Sequence, residues 1–151
     1  FDTYLSSDWA KTYVPSRLLN PAVGGNHRPC GCLLDLPNYP APDMFLFDPK
    51  RVNVLGEYGG IGLPVENHLW WNKRNWGYVQ FKNSDEVTAE YVKYANILKD
   101  YVKRGFSAAV YTQTTDVEGE VNGLMTYDRK VIKIDETAVK KANQSVINEL
   151  K

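Results

Sequence analysis

Glu57 is the residue whose type and surroundings best suit it to chemistry. It follows the run Val52-Asn53-Val54-Leu55-Gly56 and precedes Tyr58-Gly59-Gly60. Val52, Val54 and Leu55 read as a short buried strand, because strands of parallel sheets show near-continuous apolar runs. Glutamate is a poor strand former, so propensity does not explain its place at the end of that run. The paired glycines let the backbone turn and leave room above the strand end. In parallel α/β folds that is where catalytic groups gather. Glu57 is therefore the candidate catalytic carboxylate. The competing reading is a capping or salt-bridged glutamate, since carboxylates at strand ends also serve structure.

Other chemistry-bearing residues stand at similar positions. Asn20 follows Arg17-Leu18-Leu19, Asp35 follows Cys32-Leu33-Leu34 with Tyr39 shortly after, and Tyr111 precedes Gln113 at the end of another apolar run. Asn122 sits in a polar loop, and Trp70 in a tryptophan-rich one. This set suits glycoside hydrolysis. A retaining glycosidase uses two carboxyl groups about 5–5.5 Å apart, one as nucleophile and one as acid/base. Glu57 would attack the anomeric carbon, and Tyr39 would donate a hydrogen bond that favours the charged nucleophile. Asn20, Asp35 and Asn122 would bind sugar hydroxyls, and loop aromatics such as Trp70 would stack on sugar faces. No second carboxylate stands out. Asp35, Asp116, Glu118 and Glu120 qualify by type, but the last three share one polar loop.

The elements that must position these residues alternate between strand and helix. Residues 1–13 read as a helix carrying Phe1, Leu5, Trp9 and Tyr13 at intervals of four, ended by Pro15. Arg17–Ala22 reads as a short strand broken at Pro21, residues 24–29 as a loop, and Cys32–Asp35 as a second strand. Asp43–Phe47 suits one helical turn. Residues 65–81 read as a long loop whose tryptophans argue against disorder. Ser84–Arg104 is the clearest helix, with Val87, Tyr91, Tyr94, Ala95, Leu98, Tyr101 and Val102 on one face. Phe106–Thr112 is a fourth buried strand. Residues 135–150 form a last helix, with Val139, Ala142, Val146, Ile147 and Leu150 inward. Four strands leading into polar or aromatic loops at one end imply a parallel sheet. They suit a compact open sheet or half of a (β/α)8 barrel, which needs eight strands.

Composition narrows the function classes. The 151 residues suffice for one domain with a real core. Formal net charge is zero, which removes the electrostatic footprint of nucleic-acid or acidic-membrane binding. No apolar run is long enough to span a membrane. Cys30 and Cys32 make no disulfide framework, and with His27 and His68 they show no zinc spacing, so no metal or other cofactor is expected. Aromatic residues reach 13%, which fits either an aromatic core or a site that stacks on sugars. The compartment stays open, with a periplasmic or secreted bacterial setting as the working expectation.

Three segments together resemble glycoside hydrolase family 2, the family of β-galactosidases, β-mannosidases and β-glucuronidases. They are Val54–Gly60, Val110–Glu118 and Asn122–Arg129. The resemblance runs over nearly the whole chain. It implies a partial (β/α)8 TIM barrel of about four parallel strands, corresponding to strands five to eight with their helices. Glu57 then falls on the family's nucleophile, Tyr39 near the tyrosine that hydrogen-bonds it, and Tyr111 near a sugar platform. The family's acid/base is a glutamate in an Asn-Glu pair, which this chain lacks and which would lie just before Phe1. Pro37 stands where relatives often carry histidine, and Gly60 where some β-galactosidases do. The implied function is a fragment of a retaining exo-β-glycosidase, inactive alone. Its implied partners are a β-glycoside and either another copy of the chain or the missing half barrel. The alternatives are a non-catalytic carbohydrate-binding or interaction module, and a small complete hydrolase taking its acid from residues 116–120.

Overall fold

The structure is a computed structural model, and it describes residues 2–22 and 27–150. Helix α1 spans Thr3–Tyr13, and strand β1 spans Leu33–Asp35. Strands β2 (Val52–Gly59), β3 (Ile61–Gly62) and β4 (Val79–Gln80) follow, then α2 (Ser84–Lys103), β5 (Phe106–Thr112) and α3 (Glu136–Ile147). A single 3-10 turn, Asn148–Leu150, continues α3.

Among the described residues the fold is a small α/β domain, not the four-stranded partial barrel that the resemblance implied. One sheet has three parallel strands in the order β1-β2-β5, and β3 pairs with β4 in a second sheet. The strand expected at Arg17–Ala22 does not form. Pro21 has no N–H to give a ladder, and the Leu19 carbonyl alone takes both bonds, from Cys32 N at 2.8 Å and Leu33 N at 3.3 Å. The helical turn expected at Asp43–Phe47 is also absent. Instead the Asp43 carboxylate accepts from its neighbour's Met44 N–H and from the Tyr101 hydroxyl, each at 2.8 Å, tying this stretch to α2. No helix therefore joins β1 to β2. Phe1 and residues 24–26 of the loop expected at 24–29 lie outside the described residues.

Helix α2 forms where the sequence predicts it. Its N-cap is Asn83, whose side chain accepts from Glu86 N at 2.9 Å. Asp85 and Glu86 stand at the positive end of the helix dipole. The buried face is Val87, Tyr91, Tyr94, Ala95, Leu98 and Tyr101. It packs on Leu34, Leu55, Tyr58, Ile61 and Phe106 from the strands and on Val139 from α3, making one core. Helix α3 buries Val139 and Ala142 but leaves Ile147 and Leu150 exposed, contrary to the inward positions expected of them.

The strand that carries Glu57 is irregular. Leu55 pairs with Ala109 and Tyr58 with Tyr111, so three steps along β2 match two along β5. That is a bulge, and Gly56 and Glu57 occupy it. Leu55 and Tyr58, three residues apart, lie in the same core cluster. Strict alternation would send them to opposite faces. The bulge absorbs the difference and turns Glu57 outward, exposed, between half-buried Gly56 and buried Tyr58. The sequence placed Glu57 at a strand end, whereas the strand runs on to Gly59.

Candidate functional site

The site assembles around the bulge. Tyr39, from the loop after β1, places its hydroxyl 2.8 Å from Glu57 Oε2 and 2.8 Å from Thr112 Oγ1. A phenol has one proton, and an ionised carboxylate can only accept. Tyr39 therefore donates to Glu57, and Thr112 donates to the Tyr39 oxygen. Burial pushes the Tyr39 phenol above the usual tyrosine range, and the Glu57 carboxylate adds to this against the Thr112 hydrogen bond. The group stays protonated and remains a donor at any physiological pH. The carbonyl of Glu57 is also tied, accepting from Asn38 N at 2.9 Å.

The Tyr39 ring is fixed by stacking on Tyr78, with centroids 3.9 Å apart and planes within 6° of parallel. Trp76 meets Tyr78 edge-on at 5.6 Å. Gly60 makes this stack possible. Its φ is +67°, and a Cβ there would run into the Tyr78 ring, so the space of a side chain at position 60 is already filled. Tyr78 and Trp76 are about half exposed. Together with Tyr39 they make a continuous aromatic wall beside the carboxylate.

Asn20 and Asp35 form a pair next to the bulge. The Asn20 amide donates to Asp35 Oδ2. Asp35 is buried, and its carboxylate lies directly over the Cα of Gly56, where any Cβ would collide with it. Asp35 thus fixes the backbone immediately before Glu57, and its Oδ1 has no side-chain or backbone donor among the described residues.

The remaining predicted residues stand elsewhere. Tyr111 packs edge-on to Tyr58 at 5.6 Å and against Tyr91 at 4.9 Å, inside the core on the helix side of the sheet. Burial raises its phenol well above the usual range. Asn122 is fully buried, donates to Glu120 Oε1 at 2.8 Å and lies against Gly77. Trp70 is 64% exposed and meets Tyr127 edge-on at 5.4 Å, in a pocket of its own. The structure thus brings together Glu57 and Tyr39, and beside them Asn20 with Asp35. Sequence reasoning did not single out Thr112, Tyr78 or Trp76. The one clue was the aromatic density of the loop before α2.

The polar loop is built around a buried ion pair. Lys133 Nζ lies 2.7 Å from Asp116 Oδ1, with both side chains at 3% exposure or less. Nζ also donates to the carbonyls of Leu63 and Val121, and Gly123 N–H donates to Asp116 Oδ1. Burial raises the Asp116 carboxyl and lowers the Lys133 ammonium from their usual ranges, while each charge opposes the other's shift. Asp116 is therefore a structural anchor. Glu120 holds Asn122, and Glu118 sits exposed at a left-handed turn with φ of 52°. No protein-family model matches the chain, and no curated protein matches it.

Proposed function

We propose that the chain carries the nucleophile of a retaining β-glycosidase, with Glu57 as the attacking carboxylate. The supporting observation is the Glu57–Tyr39–Thr112 chain of hydrogen bonds, set beside an exposed aromatic wall. A carboxylate offered outward by a bulge and held by one oriented donor is arranged for attack on an electrophilic carbon. Flat exposed rings suit the apolar face of a pyranose. In the first step a Glu57 oxygen bonds to the anomeric carbon as the glycosidic C–O bond breaks. The bonding pair leaves with the aglycone oxygen, which takes a proton from an acid/base carboxyl group. Water then attacks the same carbon and gives its proton to that carboxylate, and Glu57 departs with its own electron pair. Tyr39 holds the attacking carboxylate in place and receives it again after hydrolysis. The resemblance to glycoside hydrolase family 2 supports the same assignment. Asp116 and Glu120 are already engaged in holding the polar loop, which disfavours either of them as the acid.

An activated dinitrophenyl 2-deoxy-2-fluoro-β-glycoside tests the nucleophile separately from the acid/base. Its leaving group departs without protonation, and the fluorine slows release of the glycosyl-enzyme. The expected result is a covalent glycosyl adduct on Glu57 by peptide mass spectrometry, absent in Glu57→Gln and slowed by about tenfold or more in Tyr39→Phe. Labelling of another residue, or none, would sink the assignment. A second reading is sugar binding without chemistry, favoured by the exposed rings of Trp76 and Tyr78. It predicts sugar affinity unchanged in Glu57→Gln and no adduct.

A further inference from the structure

The loop between β3 and β4 shapes a second pocket, of about 700 Å³, lined by Pro64, Glu66, Asn67, Trp70, Trp71 and Asn72 among others. None of Tyr39, Glu57, Tyr78 or Thr112 lines it. Trp70 and Trp71 are 64% and 49% exposed, although an indole is among the costliest side chains to leave in water. Their exposure is not the slack of a loose loop. Trp70 rests edge-on against Tyr127 at 5.4 Å, and two residues earlier His68 Nδ1 meets Asp128 Oδ2 at 2.9 Å. Asp128 is in turn held by the Thr126 hydroxyl at 2.6 Å, and Thr126 is fully buried. The turn at 126–130 therefore buttresses the platform from behind at two consecutive points. The polar lining is two amides, from Asn67 and Asn72, and a single carboxylate from Glu66, all exposed, with no cation in the lining.

We infer that this pocket is a second binding site for a neutral pyranose, separate from the Glu57 site. An indole face accepts the apolar C–H face of a sugar ring. An asparagine amide offers a donor and an acceptor side by side, which matches vicinal hydroxyls, and the glutamate accepts from a third hydroxyl. The mixture disfavours an anion, which has no cation to meet, and disfavours an apolar peptide, which would strand both amides. The site requires no chemistry from Glu57, so it stands whether or not the glycosidase reading holds.

The test follows the indole N–H resonances of the ¹⁵N-labelled 151-residue chain during titration with cellobiose and with lactose, the four tryptophans being assigned by single Trp→Phe variants. Saturable shifts at Trp70 and Trp71 are expected. Trp70→Ala should weaken the affinity by about tenfold or more, equivalent to about 1.4 kcal/mol, and Asn72→Ala should weaken it measurably at an exposed position that leaves the fold alone. Glu57→Gln should leave it unchanged. Shifts confined to Trp76 would support sugar binding at the Glu57 site and overturn the second site. Absence of saturable shifts at any tryptophan would overturn it as well.

Discussion

Two single-residue features lend themselves to direct measurement. Lys133 is 1% exposed and makes three hydrogen bonds, one of them to Asp116. Lys133→Met keeps the volume but leaves a carboxylate buried without its cation. Breaking a buried pair from one side costs about 3–5 kcal/mol, and urea denaturation should show a loss of that size. Asp128 supplies a pH dependence. The Thr126 hydroxyl and then His68 hold its carboxyl at about 2, below the value of about 3.9 usual for an unfolded aspartate. Because the folded state binds the proton less readily, the contribution is complete above the unfolded value and is lost as the pH falls towards about 2. Thermal melts between neutral and acid pH should therefore fall more steeply for the native chain than for Asp128→Asn in that window. Equal slopes would show that the pair contributes nothing to stability.

At the scale of elements, α2 is the most self-sufficient piece, and its cap is its most separable part. Asn83→Ala should cost about 1 kcal/mol, as loss of an N-cap usually does, read as a lowered denaturation midpoint with an unchanged slope. The same locality made α2 legible in the sequence, since an apolar row, acidic residues in the first turn and a glycine after the end all lie within one stretch. β1, β2 and β5 were legible for a related reason, as their apolar runs are continuous. The strand expected at Arg17–Ala22 failed because strand pairing is settled by distant partners, and Leu18-Leu19 next to Pro21 found only one carbonyl's worth of bonding. The bulge was invisible, because Gly56-Glu57 looks the same at a strand end as within an irregular strand. Tyr111, which the resemblance set near a sugar platform, packs against Tyr58 and Tyr91. Tyr39 beside Glu57 came from the resemblance and from strand-end logic together. Tyr78 and Thr112 could not be named from sequence, since each meets Tyr39 only through the fold.

Across the whole molecule, apolar surface is distributed unevenly. β5 is an edge of its sheet, and Ser107 to Val110 along it are exposed. Beside it runs a groove of about 680 Å³ lined by Leu98, Phe106, Ile147 and Leu150 among others. On α1, Leu5, Trp9 and Tyr13 are each more than 60% exposed, so these three members of the row seen in the sequence face outward. An unpaired edge with apolar side chains is a template for another strand. We predict that the chain self-associates through β5, giving a sedimentation coefficient that rises with protein concentration. Val110→Lys, which puts a charge on the exposed edge, should abolish that rise. A native chain that sediments as a monomer throughout would refute it.

The bulge in β2 also works as a change of phase. Upstream of it, Leu55 sets which parity of residue number means inside, and downstream Tyr58 sets the opposite parity. The strand thereby changes phase between Leu55 and Tyr58, and Glu57 stands at the seam. Removing Gly56 would leave Tyr58 two steps from Leu55, so a regular strand would hold both on one face and send Glu57 to the other. The reactive group and the core are thus coupled by counting: the odd spacing from Leu55 to Tyr58 requires the bulge, and a one-residue change in that spacing would remove the irregularity that presents Glu57.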